Sequence, residues 1–281
     1  MKTITVSIPQ KDSLIAQFIS LYQTFSQINK FEKVTFDLSR LGWIYPLLIL
    51  PITAYIYETK SEYLSPQNTS ANLYLKTVCF PDGIDSVKNF QKLLTYIPVT
   101  HLKKSGEIED RERLGSCFSE MIYKTIGEIP GTQNAIYYPI SELVTNIFEH
   151  SKREEGWIFA QKYPKKKFLD ICIVDTGRGL KSCYKEEKGV VLSDEDAIKE
   201  AMKGHSTKPS KERGFGIYTS KQVVCGALGG SFIILSGSAA LISQKDKEKL
   251  VTMSPFNWHG LIIGYRIPFL QKPVDISCFL E

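Results

Sequence analysis

Apolar and polar positions alternate from Thr3 to Ile8, the period of a strand. The spacing turns helical from Ser13 to Ile28, where Ile15, Phe18, Ile19, Tyr22 and Phe25 fall on one side. Lys33 to Leu38 reads as a second strand, and Ser39 is placed to cap a helix over Trp43 to Glu58. Asn72 to Val78 reads as a third strand, and Asp82-Gly83 turns into a short helix from Asp85 to Leu94. This order predicts a small layered α/β unit over residues 1–97. Pro98 and the polar run Lys103 to Arg113 read as a hinge.

A second unit, 98–281, opens with helical patterns over Gly115 to Ile126 and Thr132 to His150. Pro139 inside the latter predicts a kink or a late start. Gly156 to Lys162 and Lys167 to Val174 read as strands of an antiparallel hairpin, turned at Tyr163-Pro164-Lys165. The segment 180–213 is rich in Gly, Ser, Lys and Glu, has one helical stretch from Asp194 to Lys203, and reads as a lid. A helix from Gly216 to Ala227 and strands over Ser231 to Ser236 and Gly260 to Pro268 complete the pattern. Helices followed by antiparallel strands predict an α+β two-layer sandwich.

Composition narrows the setting. The 281 residues are 43% hydrophobic and 23% charged, enough apolar material for a real core. A net charge of +5 suits an anionic ligand without marking a nucleic-acid binder. The most apolar stretch, Trp43 to Tyr57, is shorter than the roughly 20 residues of a membrane span and carries Pro46 and Pro51. The start lacks the apolar core of a secretory signal. The six cysteines are scattered without a Cys-x-x-Cys pair, which points away from zinc and disulfide frameworks. A cytoplasmic protein is expected.

Three blocks carry candidate chemistry. Glu142, Asn146 and His150 recur every four residues and share one helix face, with Leu143, Val144 and Ile147 supplying an apolar one. A carboxylate can deprotonate water and an amide oxygen is a hard ligand suited to magnesium, although a merely solvated face would look the same. The run Ile171 to Val174 ends in Asp175, then Gly177 and Gly179. A carboxylate there can accept from a purine amine while glycines let a flat ring approach; an ordinary aspartate turn also fits. Thr207 and Lys208, then Gly214-Phe215-Gly216 opening a helix, offer a hydroxyl, a cation and free backbone N–H groups to phosphates. A lone Gly-x-Gly is commonplace.

Together and in this order, Glu-x-x-x-Asn, Asp-x-Gly-x-Gly, a lid and Gly-x-Gly over Leu114 to Phe269 resemble the GHKL ATPase superfamily. Its members include gyrase, heat-shock-90 chaperones, histidine kinases, mismatch-repair ATPases and anti-sigma-factor kinases. Gly214 to Ser236 looks especially like the last box of histidine kinases, and His205-Ser206-Thr207-Lys208 is similar to their Thr-Thr-Lys lid element. The resemblance implies a Bergerat ATP-binding fold and the cofactors ATP and Mg2+. It assigns Asn146 to the metal, Asp175 to the adenine amine, and Gly177 and Gly179 to the floor beneath the base. Gly214, Phe215 and Gly216 would serve the phosphates, with Thr207 and Lys208 in the lid. It makes Glu142 the catalytic carboxylate and puts His150 near the phosphates, a position that also suits a helix-end histidine meeting the dipole.

The chain departs from parts of that superfamily. The only upstream histidine, His101, lacks long amphipathic helices around it, which argues against a self-phosphorylating histidine kinase. The stand-alone anti-sigma-kinase type fits the length best. Phe36-Asp37-Leu38-Ser39 and Gly42 to Ile49 resemble a STAS domain, yet Tyr45-Pro46 stands where its Asp-Ser switch would fall; a generic α/β scaffold fits equally. The expected activity is ATP hydrolysis or phosphorylation of a protein in bacterial signalling, the partner docking on the N-terminal unit, with a homodimer left open. A non-catalytic ATP-driven switch is the alternative. A nucleic-acid-associated ATPase acting through Lys162 to Lys167 is a third reading, and neither nucleic acid nor membrane is the expected partner.

Overall fold

The computed structural model describes residues 1–29, 31–85, 95–103, 120, 129–204, 216–245 and 247–280. Strands β1 (Lys2–Thr5), β2 (Val34–Asp37) and β3 (Glu62–Leu64) form a parallel sheet, with helices α1 (Leu14–Phe25) and α2 (Pro46–Thr59) as crossovers. After α3 (Thr69–Thr77) comes a seven-stranded sheet in the order β4-β5-β6-β10-β7-β8-β9, every neighbouring pair antiparallel. Its strands are β4 (Tyr96–Lys103), β5 (Glu155–Tyr163), β6 (Phe168–Val174), β7 (Ser231–Gly237), β8 (Ala239–Gln244), β9 (Lys247–Thr252) and β10 (Trp258–Pro268). Helices α4 (Thr132–His150), α5 (Gly179–Lys188), α6 (Asp194–Ala201) and α7 (Gly216–Gln222) cover one face, and a short α8 (Ser277–Leu280) ends the described chain. The fold is therefore mixed α/β, with one large antiparallel sheet and one small parallel one.

Both faces of the central strands of the large sheet are buried. Ile158, Ala160, Ile171, Ile173, Phe232 and Ile234 point to α4–α7. Trp157, Phe159, Cys172, Val174, Ile233 and Leu235 point the other way and join one cluster with α1 and α2. Phe25 of α1 spans that layer, 5.8 Å from Phe36 of β2 and 5.6 Å from Trp258 of β10. Double coverage explains why β6 is buried along its whole length instead of alternating. It also explains α2, apolar nearly all round and buried from Pro46 to Tyr55.

A buried polar cluster fixes the layers in register. Arg266 of β10 donates from Nε (2.6 Å) and Nη2 (2.8 Å) to the two oxygens of Asp170 on β6. Gln17 of α1 donates to Asp170 Oδ2 at 2.8 Å, and Arg266 Nη1 donates to the Asp12 carbonyl at 3.1 Å. Burial raises the Asp170 pKa even though Arg266 and Gln17 favour its charge.

Several expectations need correction. Ile15 and Ile19 are 39% and 47% exposed, because the buried face of α1 runs through Leu14, Gln17, Phe18, Leu21 and Phe25. Gln17 is inside only because Asp170 takes its amide, so polarity hid that face from the pattern. Residues 72–78 are not a strand: Asn68 accepts from the Ala71 N–H at 2.9 Å and starts α3. Ser39 caps no helix; its N–H donates to Asp37 Oδ1, and α2 begins with Pro46 at its first position after an extended Tyr45. Pro98 is no hinge but lies in edge strand β4, at the register shift between Ile97 and Thr100. The boundary drawn near residue 97 therefore falls inside β4. Within the expected lid the helix anticipated over Asp194 to Lys203 is present as α6, whereas α5 and strands β8 and β9 were not anticipated. The Thr132 to His150 helix runs through Pro139, and the β5–β6 hairpin turns through a 3-10 turn, Pro164–Lys166, and Lys167 at φ 57°. The helices expected over 85–94 and 115–126 lie almost wholly outside the described residues. Among those described, Cys79, Cys172, Cys183, Cys225 and Cys278 are free thiols, and no helix is long and apolar enough to cross a membrane.

Candidate functional site

Helix α4 buries Ala135, Ile136, Ile140, Leu143, Ile147 and Phe148 toward the sheet, which leaves Glu142 and Asn146 half-buried at the flank facing α7. The start of α7 presses on them. A Cβ on Gly216 would lie 2.8 Å from Glu142 Oε2 and 3.1 Å from Asn146 Nδ2, so only glycine fits without moving these side chains. Burial raises the Tyr138 pKa on the same helix, and the Glu142 charge adds to it.

Asp175 follows the last residue of β6 and is 3% exposed. It is held at several points: its N–H donates to Leu261 O at 2.9 Å, and its carbonyl accepts from Trp258 Nε1 at 2.9 Å. Its Oδ1 accepts from the Gly177 N–H at 2.8 Å. Burial raises the carboxyl pKa to about 7, opposed by the backbone contacts at Gly177 and Leu261 and by the Arg153 charge.

Asp175 and Asn146 meet in one narrow slot of about 10 Å³ whose walls are Leu143, Ile147, Ile173, Ile217, Leu261 and Ile263. That is room for about one water, far below the roughly 300–1,000 Å³ of sites that enclose a whole drug-sized ligand, so a ring enters only if these walls part. Its walls are apolar except at Asp175 and Asn146, the two groups positioned to hydrogen-bond to a ligand there.

A scan against protein-family models and a search of curated proteins both find no match.

The other expected site residues fall around the slot. Gly177 lies against the end of α4, where a Cβ would sit 2.3 Å from Ser151 O. Gly179, at φ +67°, opens α5 with Ser236 Oγ 3.0 Å from where a Cβ would be. Neither glycine is in the slot's walls. His150 ends α4, and its carbonyl accepts from Arg178 Nε at 2.7 Å. Arg178 also pairs with Glu186 (2.7 Å) and Glu187 (2.6 Å), so this end of the stripe adjoins a charged network on α5. Thr207, Lys208, Gly214 and Phe215 lie outside the described residues. Among the described residues no three His, Cys, Asp or Glu side chains cluster as a metal site, so a cation at Asn146 would draw its other oxygens from ligand or water.

Three contributors escaped the sequence reading. Gly260 sits at φ +104°, and a Cβ there would be 2.3 Å from Asp175 O and 2.5 Å from Asp175 Oδ1. Trp258 supplies the indole N–H to the Asp175 carbonyl. Glu58 of α2 accepts from Thr176 Oγ1 at 2.7 Å. The only sequence signal was Gly260 at the start of an expected strand, a place where glycine often marks close backbone approach.

Proposed function

We propose that this chain binds Mg-ATP with the adenine in the slot between α4 and the sheet, as a GHKL-type ATPase or serine/threonine-type protein kinase. The observation that carries the reading is the slot itself: the strand-end carboxylate of Asp175 and the Asn146 amide line one narrow apolar cleft, and Gly216 abuts both Glu142 and Asn146 beside it. The large antiparallel sheet with α4–α7 on one face is the kind of layer a Bergerat fold uses.

Each residue then has a task. Asp175 Oδ2 accepts from the exocyclic amine, and Ile173, Ile217 and Ile263 exclude water from the ring. The Asn146 amide oxygen is a hard donor for magnesium, whose charge, when bound, would offset that of the phosphates. Glu142, half-buried one turn before Asn146, takes the proton of an attacking water or partner hydroxyl. Thr207, Lys208, Gly214 and Phe215 are assigned to the phosphates by resemblance alone. The N-terminal layer is the proposed docking module for a protein partner in cytoplasmic signalling.

Calorimetry of Mg-ATP binding and an ADP-release assay on wild type, Asn146→Ala and Glu142→Ala test the reading. Binding lost with Asn146→Ala, and turnover lost with binding kept for Glu142→Ala, are expected. No binding by wild type at millimolar ATP would refute it. The Thr176–Glu58 contact between site and N-terminal layer favours a second reading, an ATP-driven switch, for which binding without turnover is the outcome.

A further inference from the structure

The loop that carries Asp175 is gripped from two sides. On one side is the end of α4: Gly177 lies against Ser151, whose carbonyl also accepts from the Arg178 N–H at 3.0 Å. On the other side stands Glu58, one residue before the end of α2 and contributed by the N-terminal layer. Its Oε1 accepts from Thr176 Oγ1 at 2.7 Å, and its Oε2 lies 3.5 Å from Arg153 Nη2. Thr176 is 3% exposed, so its hydroxyl has little water to turn to if Glu58 leaves. A carboxylate acceptor makes this the stronger kind of hydrogen bond, and it acts on the residue joined to Asp175 by a peptide bond.

A second support comes from the same layer. Trp258, which donates to the Asp175 carbonyl, packs edge-on against Phe25 of α1 at 5.6 Å between ring centres. Asp175 is therefore held directly by the sheet and indirectly, through Thr176 and Trp258, by α2 and α1. Recognition of a donor on a flat ring depends on where Oδ2 points, and small displacements of an acceptor weaken a hydrogen bond steeply.

We propose that Glu58 is a positioning residue for Asp175: acting through the Thr176 hydroxyl, the N-terminal layer aims the carboxylate that selects the base. The proposal rests on the ATP reading above. It deepens that reading by locating base selectivity partly outside the slot, in a residue that touches no ligand. It also gives a partner docked at the exposed C-terminal end of α2, beside Tyr57, a direct route to nucleotide affinity.

The test compares ATP with inosine triphosphate, which carries a carbonyl where ATP has its amine, on the full-length protein by calorimetry. Wild type is expected to prefer ATP. Thr176→Val, which keeps shape and removes the hydroxyl, and Glu58→Ala should each weaken ATP about tenfold, the effect of losing one hydrogen bond to a charged group. Binding of inosine triphosphate should stay unchanged. Thr176→Ser and Glu58→Gln, which keep donor and acceptor, should restore the preference. Equal weakening of both nucleotides, or an unchanged ratio in Thr176→Val, overturns the proposal. Absence of ATP binding by wild type would instead overturn the ATP reading, so the two failures are distinguishable. If Glu58→Ala does not fold, the Thr176 pair decides alone.

Discussion

Replacing Asp175 by asparagine separates what this carboxylate costs from what it does. In the folded protein its pKa stands at about 7 against an ordinary 3.8, because burial disfavours the charged form. Between those values the native state holds a proton that the unfolded chain has released, so stability falls as pH rises, by about 1.4 kcal/mol per pH unit. The loss begins above pH 3.8 and is complete once pH has passed about 7. Its full size is about 4 kcal/mol. An asparagine does not titrate. It keeps an oxygen for the Gly177 N–H, and the cost of its buried amide, about 1–3 kcal/mol, is the same at every pH. Urea unfolding of both proteins at pH 5 and pH 8 isolates the titrating part. Relative to wild type, Asp175→Asn should gain about 3 kcal/mol between those two pH values, worth roughly 6 °C or more in Tm. Asp170, also raised by burial, is present in both proteins and cancels. ATP affinity at pH 8 should fall at least about tenfold in the same variant. A stability difference that does not change with pH, or one that moves toward wild type at pH 8, would refute the burial argument.

Gly216→Ala should fold with a melting temperature near that of wild type yet lose ATP affinity about tenfold in calorimetry, because its Cβ displaces the mobile ends of Glu142 and Asn146; unchanged affinity would separate Gly216 from the site. Gly260→Ala should lose at least about 3 kcal/mol in urea unfolding, since a Cβ at φ +104° meets the Asp175 backbone. A near-neutral result would contradict that close approach. Arg266→Met should cost about 3–5 kcal/mol by leaving Asp170 buried and charged, and adding Asp170→Leu should recover most of it. Failure of the double variant to recover would mean that the pair does more than compensate its own burial.

What could be read from the sequence was what local chemistry decides. The β5–β6 hairpin was legible because Tyr163-Pro164-Lys165 separates two apolar runs, and α4 because its apolar residues recur at helical spacing through Pro139. Asp175 at a strand end and Asn146 on a helix face were each visible, although their meeting across one slot depends on β10, whose Leu261 and Ile263 complete its walls. The illegible features are settled between distant segments. The buried face of α1 depends on Asp170, 153 residues away from Gln17. Glu58 reaches Thr176 across 118 residues. Strand β9 contains Lys247, Glu248 and Lys249, exposed at an edge, so no apolar alternation announced it. The Asn72 to Val78 run alternates like a strand, but an Asn68 cap decided it as a helix.

The two-sided burial of the large sheet bears on how this molecule can be cut and recombined. A fragment starting near residue 98 would present Trp157, Phe159, Cys172, Val174, Ile233 and Leu235 to water as one apolar surface. Exposed apolar faces of that kind drive association. It would also strip Gln17 and Asp12 from the Asp170–Arg266 pair. The first third of the chain is thus not a detachable attachment to the large sheet. An exchange of N-terminal thirds between proteins built this way would have to carry matching partners for Asp170 and Arg266, which makes the whole length from β1 to β10 the smallest unit that can be shuffled.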